Sequence, residues 1–267
     1  MLSKLLKYDL RANMKLFLFI WPAMLVVAGL QRLLLEMHVQ GFLAKFLVGL
    51  LTTIMVLSMF AVVVLCFVIC VIRFYSGLLR REGYLMFTLP VKPWQLLISK
   101  LLAAMLTLLP TCILAYCCVA LIISGVSDSV WNSIFNFDEY FGAPSFNAWS
   151  ILLMVLTALA TLANILLRVY FVSCLGHLFR RARIFLSILF YYLIGVLMQI
   201  VAMLSLVSVS FSPETPLLNA LLDWFGNLSF NGATCVFLGL LLLANIAIGC
   251  VYFFVSEGIL RKRLNLD

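Results

Sequence analysis

Charge is what this sequence has least of. Of 267 residues, 10% are Asp, Glu, Lys or Arg, while 66% are hydrophobic and the mean hydropathy is +1.20. An ordinary soluble domain is about 25% charged and roughly half apolar, so no water-facing surface can be built from this composition. A polar block between the apolar runs is also missing, which argues for one membrane domain over several soluble ones. Histidine occurs twice, as His38 and His177, and neither has around it a Ser, Cys or carboxylate arrangement that suggests catalysis. No G-x-x-x-x-G-K-[ST] segment occurs, so nothing here cradles nucleotide phosphates. An enzyme is therefore not expected.

What is present is a succession of apolar stretches of about 20 residues or more, the length that crosses roughly 30 Å of hydrocarbon at 1.5 Å per residue. They fall near 16–35, 46–72, 95–124, 150–174, 184–210 and 234–256. The formal net charge of +8 takes its meaning from where the cations lie. Lys4, Lys7, Arg11 and Lys15 precede the first stretch. Arg73, Arg80, Arg81, Lys92 and Lys100 surround the second connection, Arg180, Arg181 and Arg183 fill the fourth, and Arg261, Lys262 and Arg263 follow the last. The alternate connections carry Glu36, Asp128, Asp138, Glu139, Glu214 and Asp223, with Arg32 and Lys45 as their only cations. Positive charge beside short loops marks the cytoplasmic face, so six spans leave both termini inside. That distribution also accounts for the net charge without a nucleic-acid partner. A signal peptide is disfavoured because no polar mature domain follows the first stretch.

The eight cysteines, Cys66, Cys70, Cys112, Cys117, Cys118, Cys174, Cys235 and Cys250, all lie in or at the ends of apolar stretches. They read as small buried hydrophobes. Cys66 and Cys70 share a helical face, but without His or carboxylate they make a poor metal site. Residues 1–15 place Lys4, Lys7, Arg11 and Lys15 on one stripe and Leu2, Leu6, Leu10 and Met14 opposite, with Asp9 and Asn13 interrupting the apolar side. This segment either lies as an in-plane helix on the anionic leaflet or simply carries orienting charge. The connection at 74–94 is too apolar for a solvated loop and too charged to span, which predicts a short helix along the cytoplasmic surface, with Pro93 in the first turn of the next span. Residues 211–233 predict an interfacial or partly re-entrant segment, or a plain loop.

Inside the spans, Lys100 and Arg168 are expected to snorkel toward the cytoplasmic boundary. Arg168 and Glu257 are expected to pair if the fourth and sixth spans are neighbours. Asn164, Gln199 and Asn245 are deeper, uncharged, and suited to tying helices together.

Glu82 to Leu102, EGYLMFTLPVKPWQLLISKLL, resembles the connection between the second and third spans of ABC-type export permeases of the type-two class, especially small ones from Gram-positive bacteria. KLLKYDLRANMKLF, Lys4 to Phe17, is similar to the opening of the same family. The resemblance implies an all-α permease in a bacterial plasma membrane. A separate ATP-binding cassette ATPase subunit would bind Mg-ATP, and a second, identical or homologous permease would complete the transporter. It implies that Arg80, Arg81, Glu82, Gly83, Tyr84, Phe87 and Thr88 form the coupling helix that docks on the ATPase. The scarcity of midplane charge suits an apolar or amphipathic cargo such as a peptide antibiotic, drug or lipid, and disfavours an ion-coupled carrier. A non-transporting sensory or immunity subunit is the alternative.

Overall fold

In hydrocarbon a backbone has no water to bond, so a chain of this composition must satisfy its amides within each segment, and the helix is the local solution. The computed structural model describes residues 2–36, 42–79, 93–124, 147–179, 183–211 and 228–262. They form six helices: α1 (Leu2–Glu36), α2 (Phe42–Leu79), α3 (Pro93–Ser124), α4 (Ala148–His177), α5 (Arg183–Phe211) and α6 (Phe230–Lys262). No strand occurs among the described residues. Five helices, all but α5, are long and apolar enough to cross a bilayer, and α5 carries the shorter apolar run Phe185–Val201. Large side chains such as Phe19, Phe60, Tyr192 and Leu243 are more than 60% exposed. A water-soluble monomer rarely exposes contiguous apolar faces of that extent, and lipid covers them here. The chain is a helical multi-pass membrane protein.

The helices gather into two compact units, Met1–Gly77 with Leu85–Gly142, and Leu78–Tyr84 with Ala143–Asp267. In the first, α1 and α3 run parallel with a nearly constant register. Asp9 meets Lys100, and Trp21 Nε1 donates to Thr111 Oγ1 at 3.0 Å. Cys118 Sγ approaches the Met24 carbonyl at 3.9 Å. The second helix returns antiparallel to both. Its Thr52 accepts from Gln31 of α1 at 3.3 Å, and its Cys70 meets Thr107 of α3 at 3.6 Å. Around Met24, Ala28, Met59, Ala115, Cys118 and Ile122 the three helices close into a core. Lipid tails are as apolar as Leu, so association rests on close packing, and the buried Ala28, Ala103, Ala104 and Ala115 let the backbones approach.

In the second unit α4 and α6 are also parallel, offset by 81 positions. Asn164 Nδ2 donates to the Asn245 carbonyl at 2.7 Å and to Asn245 Oδ1 at 2.8 Å, and Phe171 stacks on Tyr252 at 5.5 Å between centroids. Two parallel neighbours require the chain to travel back between them. Antiparallel α5 does so, its 29 residues covering about 43 Å.

Two expectations change. Residues 2–15 are not a separate helix: they are the first turns of α1, whose 35 residues run unbroken through Pro22. The cause is Asp9, which keeps the same register against α3 that Trp21 keeps three turns later. The second span also continues past residue 72 to Leu79, taking in Phe74–Leu79 from the segment expected to lie along the surface, whereas α3 does begin at Pro93. The rest of that segment, most of the 125–149 connection and most of the 211–233 segment lie outside the described residues.

Gly249 gives the α4–α6 register a direct test. A Cβ there would stand 2.7 Å from Asn164 Oδ1. Gly249→Leu is expected to lower stability by about 1–3 kcal/mol, read as earlier thermal unfolding in detergent. Gly239→Leu, where no atom lies within 4 Å of a new Cβ, is expected to leave the melt unchanged.

Candidate functional site

Charges between helices in hydrocarbon are costly and mark functional positions by default. In the first unit the third helix presents a polar ladder of Ser99, Lys100, Thr107 and Thr111, with Ser99, Thr107 and Thr111 fully buried. The threonines satisfy themselves locally: Thr107 Oγ1 donates to the Ala103 or Ala104 carbonyl, and Thr111 Oγ1 to the Thr107 carbonyl. Such back-bonding makes a buried hydroxyl inexpensive and leaves its oxygen free to accept from another helix, as Thr111 accepts from Trp21.

At the ladder's end, Lys100 Nζ pairs with Asp9 Oδ1 at 2.5 Å, and the Ser99 hydroxyl, with one proton to give, stands 3.2 Å from Asp9 Oδ2 and 2.9 Å from the Leu96 carbonyl. Both carboxylate oxygens thus have a donor within reach. The two charged side chains are 13% and 16% exposed, and Asn13 is buried one turn beyond Asp9 on α1. Gly77 closes the third side, where a Cβ would come within 3.2 Å of the ammonium nitrogen. Lys100 therefore does not snorkel. Asp9, which on the sequence merely interrupts an apolar stripe, is its counter-ion.

Arg168 behaves differently. Its Nη2 donates to the Tyr191 carbonyl on α5 at 2.8 Å, and its guanidinium carbon lies 4.4 Å from the centre of the Tyr191 ring. Gly195 provides the room, since a Cβ there would stand 2.5 Å from Nη2. Tyr191 and Gly195 are eight and twelve residues into α5, and Arg168 is nine residues from the end of α4. The guanidinium is held at its own depth and does not reach back to the helix end. Among the described residues no ion pair joins Arg168 to Glu257. The fourth and sixth spans are neighbours as the expectation required, but at their offset of 81 positions Glu257 stands level with Gly176, about 12 Å along the axis beyond Arg168.

Arg80, Arg81, Glu82, Gly83, Tyr84, Phe87 and Thr88 lie outside the described residues. Asn164 and Asn245 tie α4 to α6 as expected of them, while Gln199 is exposed on α5. All eight cysteines are free thiols, with Cys66, Cys70, Cys118 and Cys174 buried. Among the described residues no three His, Cys, Asp or Glu side chains are grouped to hold a metal. A concavity at Phe46, Gly49, Leu50, Thr53 and Ile54 is lined by α2 alone, a dent in one helix surface. Compared with protein-family models, with curated proteins and with solved structures, the chain matches none.

Breaking the Asp9–Lys100 pair from one side leaves a buried charge alone. Asp9→Asn or Lys100→Met is each expected to destabilise the protein by roughly 2–4 kcal/mol, while the double variant costs less than the two summed. Thermal unfolding of the four proteins in one detergent measures the cycle, and strict additivity would show the pair to be without energetic coupling.

Proposed function

We propose that this chain is the membrane-spanning permease subunit of an ATP-driven ABC exporter, energised by a separate ATPase subunit. The observation that carries the reading is the EGYLMFTLP run, Glu82 to Pro90, in the connection between α2 and α3. It is the cytoplasmic connection that combines charge, aromatics and sufficient length for a helix. The connection at 176–183 is shorter and almost purely basic, as an orienting loop is. Six spans support the reading: if α4 and α6 cross in the same direction, the antiparallel α5 between them must cross as well. Both termini are then cytoplasmic, on the side of the basic connections. The membrane is the bacterial plasma membrane, and a second permease, identical or homologous, completes the path.

Closure of two ATPases on Mg-ATP moves the coupling segment, which continues in the chain from α2 and leads into α3. Three described helices there meet at Gly77, Lys100 and Asp9, two residues from the end of α2 and seven from the start of α3. A displacement entering between α2 and α3 therefore meets α1 first at this ion pair, ahead of the Trp21–Thr111 contact and the core around Met24. The cargo is apolar or amphipathic, since α1 to α6 hold few charges at depth.

Two measurements test this. Reporter fusions after Asp267 and within 176–183 are expected to be cytoplasmic, and those within 125–149 external; a cytoplasmic signal from 125–149 overturns the topology. Glu82→Lys, Tyr84→Ala and Phe87→Ala are expected to leave a stable membrane protein that no longer retains its ATPase. An aromatic anchor of this kind is worth about 2 kcal/mol, near a thirtyfold loss of affinity. Variants that co-purify with the motor and export normally would remove this segment from the coupling role.

A further inference from the structure

Arg168 is charged, set between helices and, among the described residues, without a carboxylate partner. The described part of its unit contains one acidic side chain, Glu257, about 12 Å away along the helix axis. Lys100 in the other unit shows what a neutralised cation looks like in this protein, paired directly with the Asp9 carboxylate. The groups Arg168 does have are neutral: one carbonyl and the face of one ring. They orient the guanidinium without cancelling its charge. Its Nε is buried and finds no acceptor in the chain, while the residue as a whole stays part-exposed. Asn164, one turn away, turns its own unpartnered Oδ1 toward Gly249 on α6 and does not compete.

The surroundings are those of an acyl chain. Ile165 on α4 is 49% exposed beside Arg168, and Ile188, Tyr192 and Val196 form an exposed stripe on α5 next to Tyr191 and Gly195. An uncompensated guanidinium beside an apolar face selects a molecule with an anion at one end and hydrocarbon at the other.

We infer that Arg168 is the recognition point for an anionic amphiphile, its phosphate or carboxylate taken by the guanidinium and its tail laid along Ile165 and the Ile188–Tyr192–Val196 stripe. That this molecule is cargo rests on the exporter reading; that it binds does not. Gly195 is part of the device, because any side chain there would push the guanidinium out of its notch.

The test uses the full chain in a neutral detergent, with dodecyl phosphate as probe and dodecylphosphocholine, its charge-cancelled counterpart, as control. Wild type is expected to bind dodecyl phosphate at least about tenfold more tightly than the control, and Arg168→Gln to lose that preference. Arg168→Lys keeps the charge and loses the planar fork, so it covers the case in which the glutamine variant does not fold; it is expected to retain a reduced preference. Equal binding of the two probes by wild type, or an undiminished preference in both variants, overturns the assignment. A competition arm separates the sources of the anion. If phosphatidylglycerol displaces dodecyl phosphate and co-purifies with wild type but not with Arg168→Gln, the ligand is a bilayer lipid. If dodecyl phosphate binds undisturbed in excess phosphatidylglycerol, it is a free amphiphile. Both results support the site. Binding is measured without the ATPase, so loss of motor retention in the coupling-segment assay and loss of anion preference here are independent failures.

Discussion

Association of helices in lipid has to proceed without the hydrophobic effect, and the whole structure follows from how this chain replaces it. Each unit is built on a pair of parallel helices drawn together by small residues and fixed in register by a few polar contacts. Interhelical hydrogen bonds in membranes average about 0.6 kcal/mol, too little for the bonds from Trp21, Gln31 and Asn164 to hold the units alone. Their role is registry. An apolar helix can slide by a turn against another with little change in packing, but Trp21 cannot reach Thr111, nor Asn164 reach Asn245, from any other setting.

The two units solve the problem of buried charge in opposite ways. In the first, Asp9 and Lys100 neutralise each other, and Ser99 completes the carboxylate's shell. In the second, Arg168 is oriented by Tyr191 and accommodated by Gly195, with its charge left standing. A neutral pair serves a joint between helices. A standing charge serves recognition.

The amino-acid sequence made the architecture legible because hydropathy at 20-residue scale is a direct record of the hydrocarbon slab. Helix type, the existence of six elements and the start of α3 at Pro93 could all be read. Register could not. Asp9 and Lys100 are 91 positions apart, and no local periodicity connects them, so a carboxylate on an apolar stripe read as a blemish and α1 as two pieces. One signal was available: Asp9 is the first acidic residue and sits among four cations, an odd choice for a helix meant to lie on an anionic leaflet. Arg168 stands out in the sequence as a charge within a span, but its neighbours could not be read there, because proximity of two helices does not place two residues at one level. The parallel offset that separates Arg168 from Glu257 comes from Asn164, Asn245, Phe171 and Tyr252 packing together, which is tertiary information.

The long separation between Asp9 and Lys100 also orders events at synthesis. At about 5–20 residues per second, Lys100 emerges on the order of 5–20 s after Asp9, and for that interval the first helix carries an unmatched carboxylate. The Asp9–Lys100 contact is thus a late one: it can form only after the third helix has been made, and the register of α1 against α3 is fixed after both helices exist.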